Sequence, residues 1–239
     1  MAAPRIVRIA ILPFGMVNCH LIIGDDGCVL VDAGLPGAEG KVARALKRHG
    51  LTFADIRLIV ITHAHVDHAG GAARLRQLTG APVLAHCGDL AYYRQLIPMN
   101  FCSTGWFGRL FLRTGLILQP YEPFTPDILM AEGQVLDLSR FGVEGVVRHT
   151  PGHTAGSVSI ELASREVLVG DLIASGILLG GLVRTQHAIR PPFEEDPQAT
   201  AVALQRLVDA GMETFYMGHG GPLPAAEVRA HACKLRRLG

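Results

Sequence analysis

Apolar and polar positions alternate in short blocks along the chain, and the period of the blocks changes. Residues 5–12, 17–23 and 28–32 read as strands, the last two joined by the Gly24-Asp25-Asp26-Gly27 turn. Residues 38–49 switch to helical spacing: Val42, Ala45 and Leu46 form a stripe among Lys41, Arg44, Lys47 and Arg48, and Gly50 stops it. A strand over 57–61 and a helix over 69–79 follow, then a strand at 82–85 and a helix near 88–97. The second half predicts strands at 134–138, 143–148, 156–162, 166–170 and 213–217, with helices over 197–210 and 224–237. Strands mixed with helices, without repeats or a low-complexity linker, describe sheets covered by helices. A chain of 239 residues is expected to form one domain spanning 1–239.

Composition narrows the partners. The 49% hydrophobic and 18% charged content is that of an ordinary globule, and a net charge of +1 offers no electrostatic reason to expect nucleic acid or an acidic membrane. Arg5 and Arg8 interrupt the first apolar run and Pro13 ends it, so it reads as a strand rather than an export signal. The apolar stretch Phe101 to Leu118 is broken by Arg109 and Arg113, short of the roughly 18 uninterrupted residues a membrane span needs. Five cysteines, odd in number and without a C-x-x-C pair, fit reduced thiols in a cytoplasmic setting.

The chemistry concentrates in Thr62-His63-Ala64-His65-Val66-Asp67-His68-Ala69-Gly70-Gly71, directly after the run Leu58 to Ile61. His63 and His65 are two apart, so in an extended segment leaving a strand their rings project to one side and can meet one metal ion. Asp67 and His68 turn toward a neighbouring position. One histidine after a strand is ordinarily a satisfied polar residue; three in six positions with an aspartate among them are not. Further donors stand at the ends of other apolar runs, each beside glycine: His153 in Thr150-Pro151-Gly152-His153, Asp171 after Gly170, and His219 in Gly218-His219-Gly220-Gly221. Three strand ends can converge on one rim.

Taken in order, H-x-H-x-D-H, T-P-G-H-T-x-G-S, G-D and G-H-G resemble the metallo-β-lactamase superfamily, with Asp32-Ala33-Gly34 in its D-x-G position. The resemblance implies an α+β fold, a four-layer αββα sandwich, with a variable apolar insertion around 90–127. It also implies two divalent metal ions in a cleft at the sandwich edge, zinc foremost, with iron or manganese as alternatives. His63, His65 and His153 would hold the first ion, and Asp67, His68 and His219 the second. Asp171 would bridge them, and Asp32 would order the histidine loop without binding metal. A hydroxide shared by the ions would attack a carbonyl that they polarise, with Asp67 relaying the proton.

Antibiotic-cleaving members generally carry cysteine or serine where this chain has Asp171, and they are exported, which disfavours a β-lactamase. Asp171 instead is similar to the pattern of glyoxalase II-like thioesterases and N-acyl homoserine lactonases. True glyoxalase II carries an additional C-terminal helical region for glutathione, whereas about twenty residues follow His219 here. The expected activity is therefore hydrolysis of a thioester, lactone or ester of a small molecule. A persulfide dioxygenase with one iron is the alternative, and an RNase Z-like phosphodiesterase lacks the basic surface it would need.

Weaker candidates complete the reading. His187, with Arg184 and Arg190 in the segment 182–192, is read as a loop residue that faces substrate or solvent. Tyr92 and Tyr93 lie on the predicted 88–97 helix as packing residues or donors to substrate. Segment 99–124, with Trp106 and five phenylalanines or tyrosines, is either a lid over an apolar acyl pocket or a homodimer interface. His20, His49, His86, His149 and His231 match no ligand position.

Overall fold

A computed structural model of the chain describes residues 4–177 and 183–238. Its first sheet holds β1 (Arg5–Ala10), β2 (Asn18–Gly24), β3 (Gly27–Val31), β4 (Ile56–Val60), β5 (Val83–His86) and β6 (Ile128–Met130) in that spatial order. The contacts β1–β2 and β2–β3 are antiparallel, while β3, β4, β5 and β6 run parallel. Parallel neighbours need crossovers: α1 (Glu39–Arg48) joins β3 to β4, α2 (Val66–Ala69) and α3 (Ala72–Thr79) join β4 to β5, and residues 87–127 join β5 to β6. The second sheet is built from β7 (Val135–Asp137), β8 (Gly145–His149), β9 (Val158–Leu162), β10 (Glu166–Leu168), β13 (Thr214–Tyr216) and β14 (Leu223–Pro224), in the order β14-β13-β10-β9-β8-β7. Its outer face carries α6 (Pro197–Asp209) and α7 (Ala225–Leu235).

The layering follows from the strand period of two. On β3 and β4, Cys28, Leu30 and Ile59 point into a core shared with Val42 and Leu46 of α1 and Leu75 of α3. The alternating residues Val29, Val31, Leu58 and Val60 point the other way, against Val147, Val158, Ile160 and Leu168 of the second sheet. Val167 of β10 faces a third core with Leu204, Leu207 and Val228 from α6 and α7. Strands buried on both faces read as continuous apolar runs rather than alternating ones, and that is why 28–31 and 58–61 are uniformly apolar. Three cores between four layers make the αββα sandwich. Asp196 caps α6, accepting from the amides of Gln198 and Ala199 at 2.9 Å each, with Pro197 opening the helix.

Several expectations need correction. The helix placed over 88–97 contracts to a 3-10 turn at Cys87–Asp89 and α4 (Leu90–Tyr93), because Asp89 turns inward and Gln95 adopts φ 51°. The segment read as a loop holds β12 (Val183–Ile189), paired with β11 (Ala174–Gly176); Leu182, its first residue, lies outside the described residues. Segment 99–124 contains α5 (Gly105–Arg113) and a 3-10 turn at Leu116–Leu118. No helix among the described residues is long and apolar enough to cross a membrane.

Candidate metal centre

The site grows from strand ends. Asp32, just past β3, takes φ 62°, a left-handed conformation that aspartate tolerates better than most residues. Its Oδ1 accepts from the Thr62 amide at 2.8 Å and the Thr62 hydroxyl at 2.9 Å, and its Oδ2 accepts from His68 Nδ1 at 2.9 Å. The Thr62 hydroxyl, already donating to Asp32, accepts from His63 Nδ1 at 3.0 Å. His219 Nδ1 donates to the Met16 carbonyl. Each contact engages Nδ1 and leaves Nε2 free of backbone partners.

Those free nitrogens meet. His63, His65 and His153 bring their donor atoms within 4.8 Å of one another, as do His63, His68 and Asp171, and Asp67, His68 and His219. His153 Nε2 lies 3.1 Å from His65 Nδ1, close to the separation of about 3.3 Å between donors on a four-coordinate ion with bonds of about 2.0–2.1 Å. The rings of His63, His65 and His153 stand nearly perpendicular to one another, with interplanar angles of 81°, 86° and 82°. Asp171 sits between the groups. Its Oδ2 is 4.0 Å from His63 Nε2, 3.8 Å from His153 Nε2 and 2.9 Å from His219 Nε2, and its Oδ1 is 3.5 Å from His68 Nε2. Asp67 Oδ2 lies 3.4 Å from His219 Nε2 and 3.7 Å from His68 Nε2.

These donors fit divalent metal. His63 Nε2, His68 Nε2, Asp67 Oδ1 and Asp171 Oδ1 are buried without a hydrogen-bond partner, a costly arrangement that bound cations would relieve. His153 Nδ1, on the other side of its ring, is also unpartnered.

The electrostatics divide the cluster. Burial, reinforced by neighbouring imidazoles, holds His63 and His153 well below the ordinary histidine range and His65 down to about 4, so these three are neutral imidazoles at pH 7. Burial opposes charge on His68 and His219 too, but Asp171 and Asp67 beside both, with Asp32 beside His68, outweigh it and push their pKa up. Burial likewise opposes the Asp171 carboxylate, which His219 and His68 nevertheless hold well below its usual range.

Other candidates scatter. Tyr93 is fully buried in the first core against Phe124, so it cannot meet substrate. Tyr92 instead lines a cavity beside Ala64 and Val66. Trp106 is 71% exposed and lies outside that lining, because α5 turns Phe111 and Leu112 inward and Trp106 outward. His187 sits on exposed β12, 3.6 Å from Glu227 of α7 and away from the histidine cluster. Asp89, which carried no forecast, is buried and accepts from the Ala64 amide at 3.0 Å, the Thr154 hydroxyl at 2.8 Å and the Gly156 amide at 2.8 Å. It ties the histidine loop to the loop carrying His153. Phe101, stacked on His65 with ring centres 4.9 Å apart, and Phe193, edge-on at 6.3 Å, were likewise unforeseen as site residues.

A cluster of this kind at the rim of an αββα sandwich defines a class of metal-binding hydrolase folds. A family model described as Metallo-beta-lactamase superfamily matches residues 12–219, and the chain belongs to that superfamily. It is 26% identical over 222 residues to the probable metallo-hydrolase YflN of Bacillus subtilis, covering 87% of this chain and 80% of the relative. It is also 26% identical over 162 residues to the hydroxyacylglutathione hydrolase GloC of Haemophilus influenzae, covering 66% and 68%. A metallo-β-lactamase family protein of Thermus thermophilus shares the fold with TM-score 0.65 at 24% identity, over 100% of this chain and 79% of that one.

Proposed function

We propose that this protein is a dinuclear metal-dependent hydrolase that cleaves an activated acyl bond, in a thioester, lactone or ester, of a small molecule. The observation that carries the reading is Asp171, whose one carboxylate lies within 4.0 Å of imidazole nitrogens from both donor groups. His63, His65 and His153 would hold one ion and Asp67, His68 and His219 the other, with Asp171 shared. Zinc suits a nitrogen-rich set with carboxylates, and iron or manganese would also be accepted. Bound there, the ions supply an acidified water and a Lewis acid for the substrate carbonyl.

The chain's own residues do the rest. Asp67 Oδ1 is buried and free of protein donors, placing a carboxylate oxygen where it can accept the proton a water gives up and return it to the departing sulfur or oxygen. Water and the acyl compound thereby give a carboxylic acid and a thiol or alcohol. Asp32, Thr62 and the Met16 carbonyl hold the imidazoles in register, so little reorganisation remains for the reaction itself. Phe101 and Phe193 pack against the His65 ring and against each other, holding the imidazole in place.

The test is a hydrolase screen of metal-loaded protein against thioesters, lactones, phosphodiesters and β-lactams, with metal per chain counted on the same sample. Two ions per chain and turnover of thioesters, lactones or esters are expected. Asp171→Ala should loosen the pair and lower kcat on the order of 100-fold or more. A folded Asp171→Ala protein retaining full metal and turnover would overturn the reading; a single iron with oxygen consumption would favour a dioxygenase.

A further inference from the structure

A cavity of about 490 Å³ opens directly beside His65, within the span of about 300–1,000 Å³ common for small-molecule pockets. Its inner wall is built from Ala64 and Val66, the two residues flanking His65, and from Phe101, whose ring stacks on the His65 imidazole. Cavity and histidine cluster therefore share a wall. The outer wall is Leu96, Ile97, Met99, Ile117 and Leu118.

The polar side chains of the lining are Tyr92, Gln95, Gln119 and Tyr121, and the wall itself engages two of them. The Tyr121 hydroxyl donates to the Ala64 carbonyl at 3.0 Å, and the Gln95 amide donates to the Tyr121 carbonyl. Among the described residues, none lining the cavity is charged. A charged group entering it would give up hydration and gain no counter-ion, whereas an alkyl chain would gain from every methylene buried. The rim points the same way: Leu96 is 69% exposed, Ile97 49% and Leu118 55%, apolar surface that an occupant would cover.

We infer that this cavity receives the acyl part of the substrate, an uncharged apolar chain whose carbonyl end lies at the His65 wall and faces the metal-ligating cluster. The inference rests on the acyl-hydrolase reading and adds the substrate class, distinguishing it from short or charged acyl groups.

Two measurements on the metal-loaded full chain test it. With p-nitrophenyl esters from acetyl to decanoyl, kcat/KM should rise with chain length, by up to about fourfold per methylene while the chain still finds cavity wall. Leu118→Glu and Leu96→Glu, which put a charge at the rim without disturbing a buried side chain, should each lower kcat/KM for the decanoyl ester at least about tenfold more than for the acetyl ester. The second measurement is independent of turnover: calorimetric titration with 2-dodecanone, an uncharged ketone with no bond to hydrolyse, should show binding that both variants weaken about tenfold or more. Hydrolysis indifferent to chain length, together with no ketone binding, would overturn the pocket assignment while leaving the hydrolase reading standing. Ketone binding weakened by the rim variants, with no ester, thioester or lactone turned over at any length, would support the pocket and sink the hydrolase reading.

Discussion

At the level of single residues, the site is a set of imidazoles, three of which have their second nitrogen held by a hydrogen bond to the protein. The spacing of His63, His65, Asp67 and His68 announces metal chemistry, but the partners that aim the rings are Thr62 for His63, Asp32 for His68, and the Met16 carbonyl for His219. Nothing in the sequence around Met16 marks it, because a backbone carbonyl has no residue-type signal. Gly218 is the opposite case. A Cβ at this position would overlap Asp171 Oδ1 and His68 Cε1, which explains the glycine before His219. Gly218→Ala should therefore displace Asp171 or His68 and lower metal content per chain, read by elemental analysis at limiting zinc, while circular dichroism stays that of the parent. Under the proposed assignment, His153→Ala should deplete mainly one ion, and His68→Ala or His219→Ala mainly the other. Identical metal content in all three variants and the parent would refute the two-group division.

Elements position these residues through a small number of ties. The helix that periodicity predicts near 88–97 is shortened to α4 and preceded by the 3-10 turn Cys87–Asp89, whose Asp89 carboxylate joins the loop after β4 to the loop after β8. Asp89→Ala would leave the buried Ala64 and Gly156 amides without an acceptor, while the Thr154 hydroxyl keeps Ser157 Oγ at 2.9 Å. At about 1–3 kcal/mol for each unsatisfied buried group, a loss of about 2 kcal/mol or more is expected, visible as a lower urea midpoint with an unchanged m-value. Asp196→Ala removes only a helix cap and should cost about 1 kcal/mol in the same experiment. Helix α5 shows why segment 99–124 was ambiguous: Phe111 and Leu112 pack inward with Phe193 while Trp106 and Leu110 remain in solvent, so its apolar content serves both faces. Spacing cannot tell which face meets the rest of the molecule.

For the molecule as a whole, histidines outside the cluster set a pH dependence. Burial lowers His20 to about 3 and His86 and His231 to about 4, from an ordinary value of 6.5. In the unfolded chain these groups take up protons near pH 6.5, whereas in the folded protein they stay neutral until about pH 4 or below. The unfolded state therefore binds more protons within that window, and these groups reduce stability as pH falls from about 6.5 toward 4. His231 is the cleanest probe, since it lies on α7 beside the third core, with Lys234 and Arg190 adding to the depression and Glu227 opposing it. His231→Gln should flatten the slope of unfolding free energy against pH by up to about one proton between about pH 6.5 and 4, relative to the parent. An unchanged slope would show that His231 charges equally in both states.

What the sequence determined by itself is whatever chemistry is local or periodic. The apolar runs at 28–31 and 58–61 specify strands buried on two faces, the stripe of Val42, Ala45 and Leu46 specifies a helix with one apolar side, and the donors after β4, β8, β10 and β13 mark the rim. Short strands such as β6, β11 and β14 have two or three residues, too few to display a period, and exist because a neighbouring strand offers them hydrogen bonds. Tertiary structure alone decided that Tyr93 is core while Tyr92 faces a cavity, that His187 meets Glu227 rather than the histidine cluster, and that Asp89 joins two loops. Each of those outcomes depends on contacts between segments far apart in the chain, where packing and hydrogen bonding choose among partners that local residue order leaves equivalent.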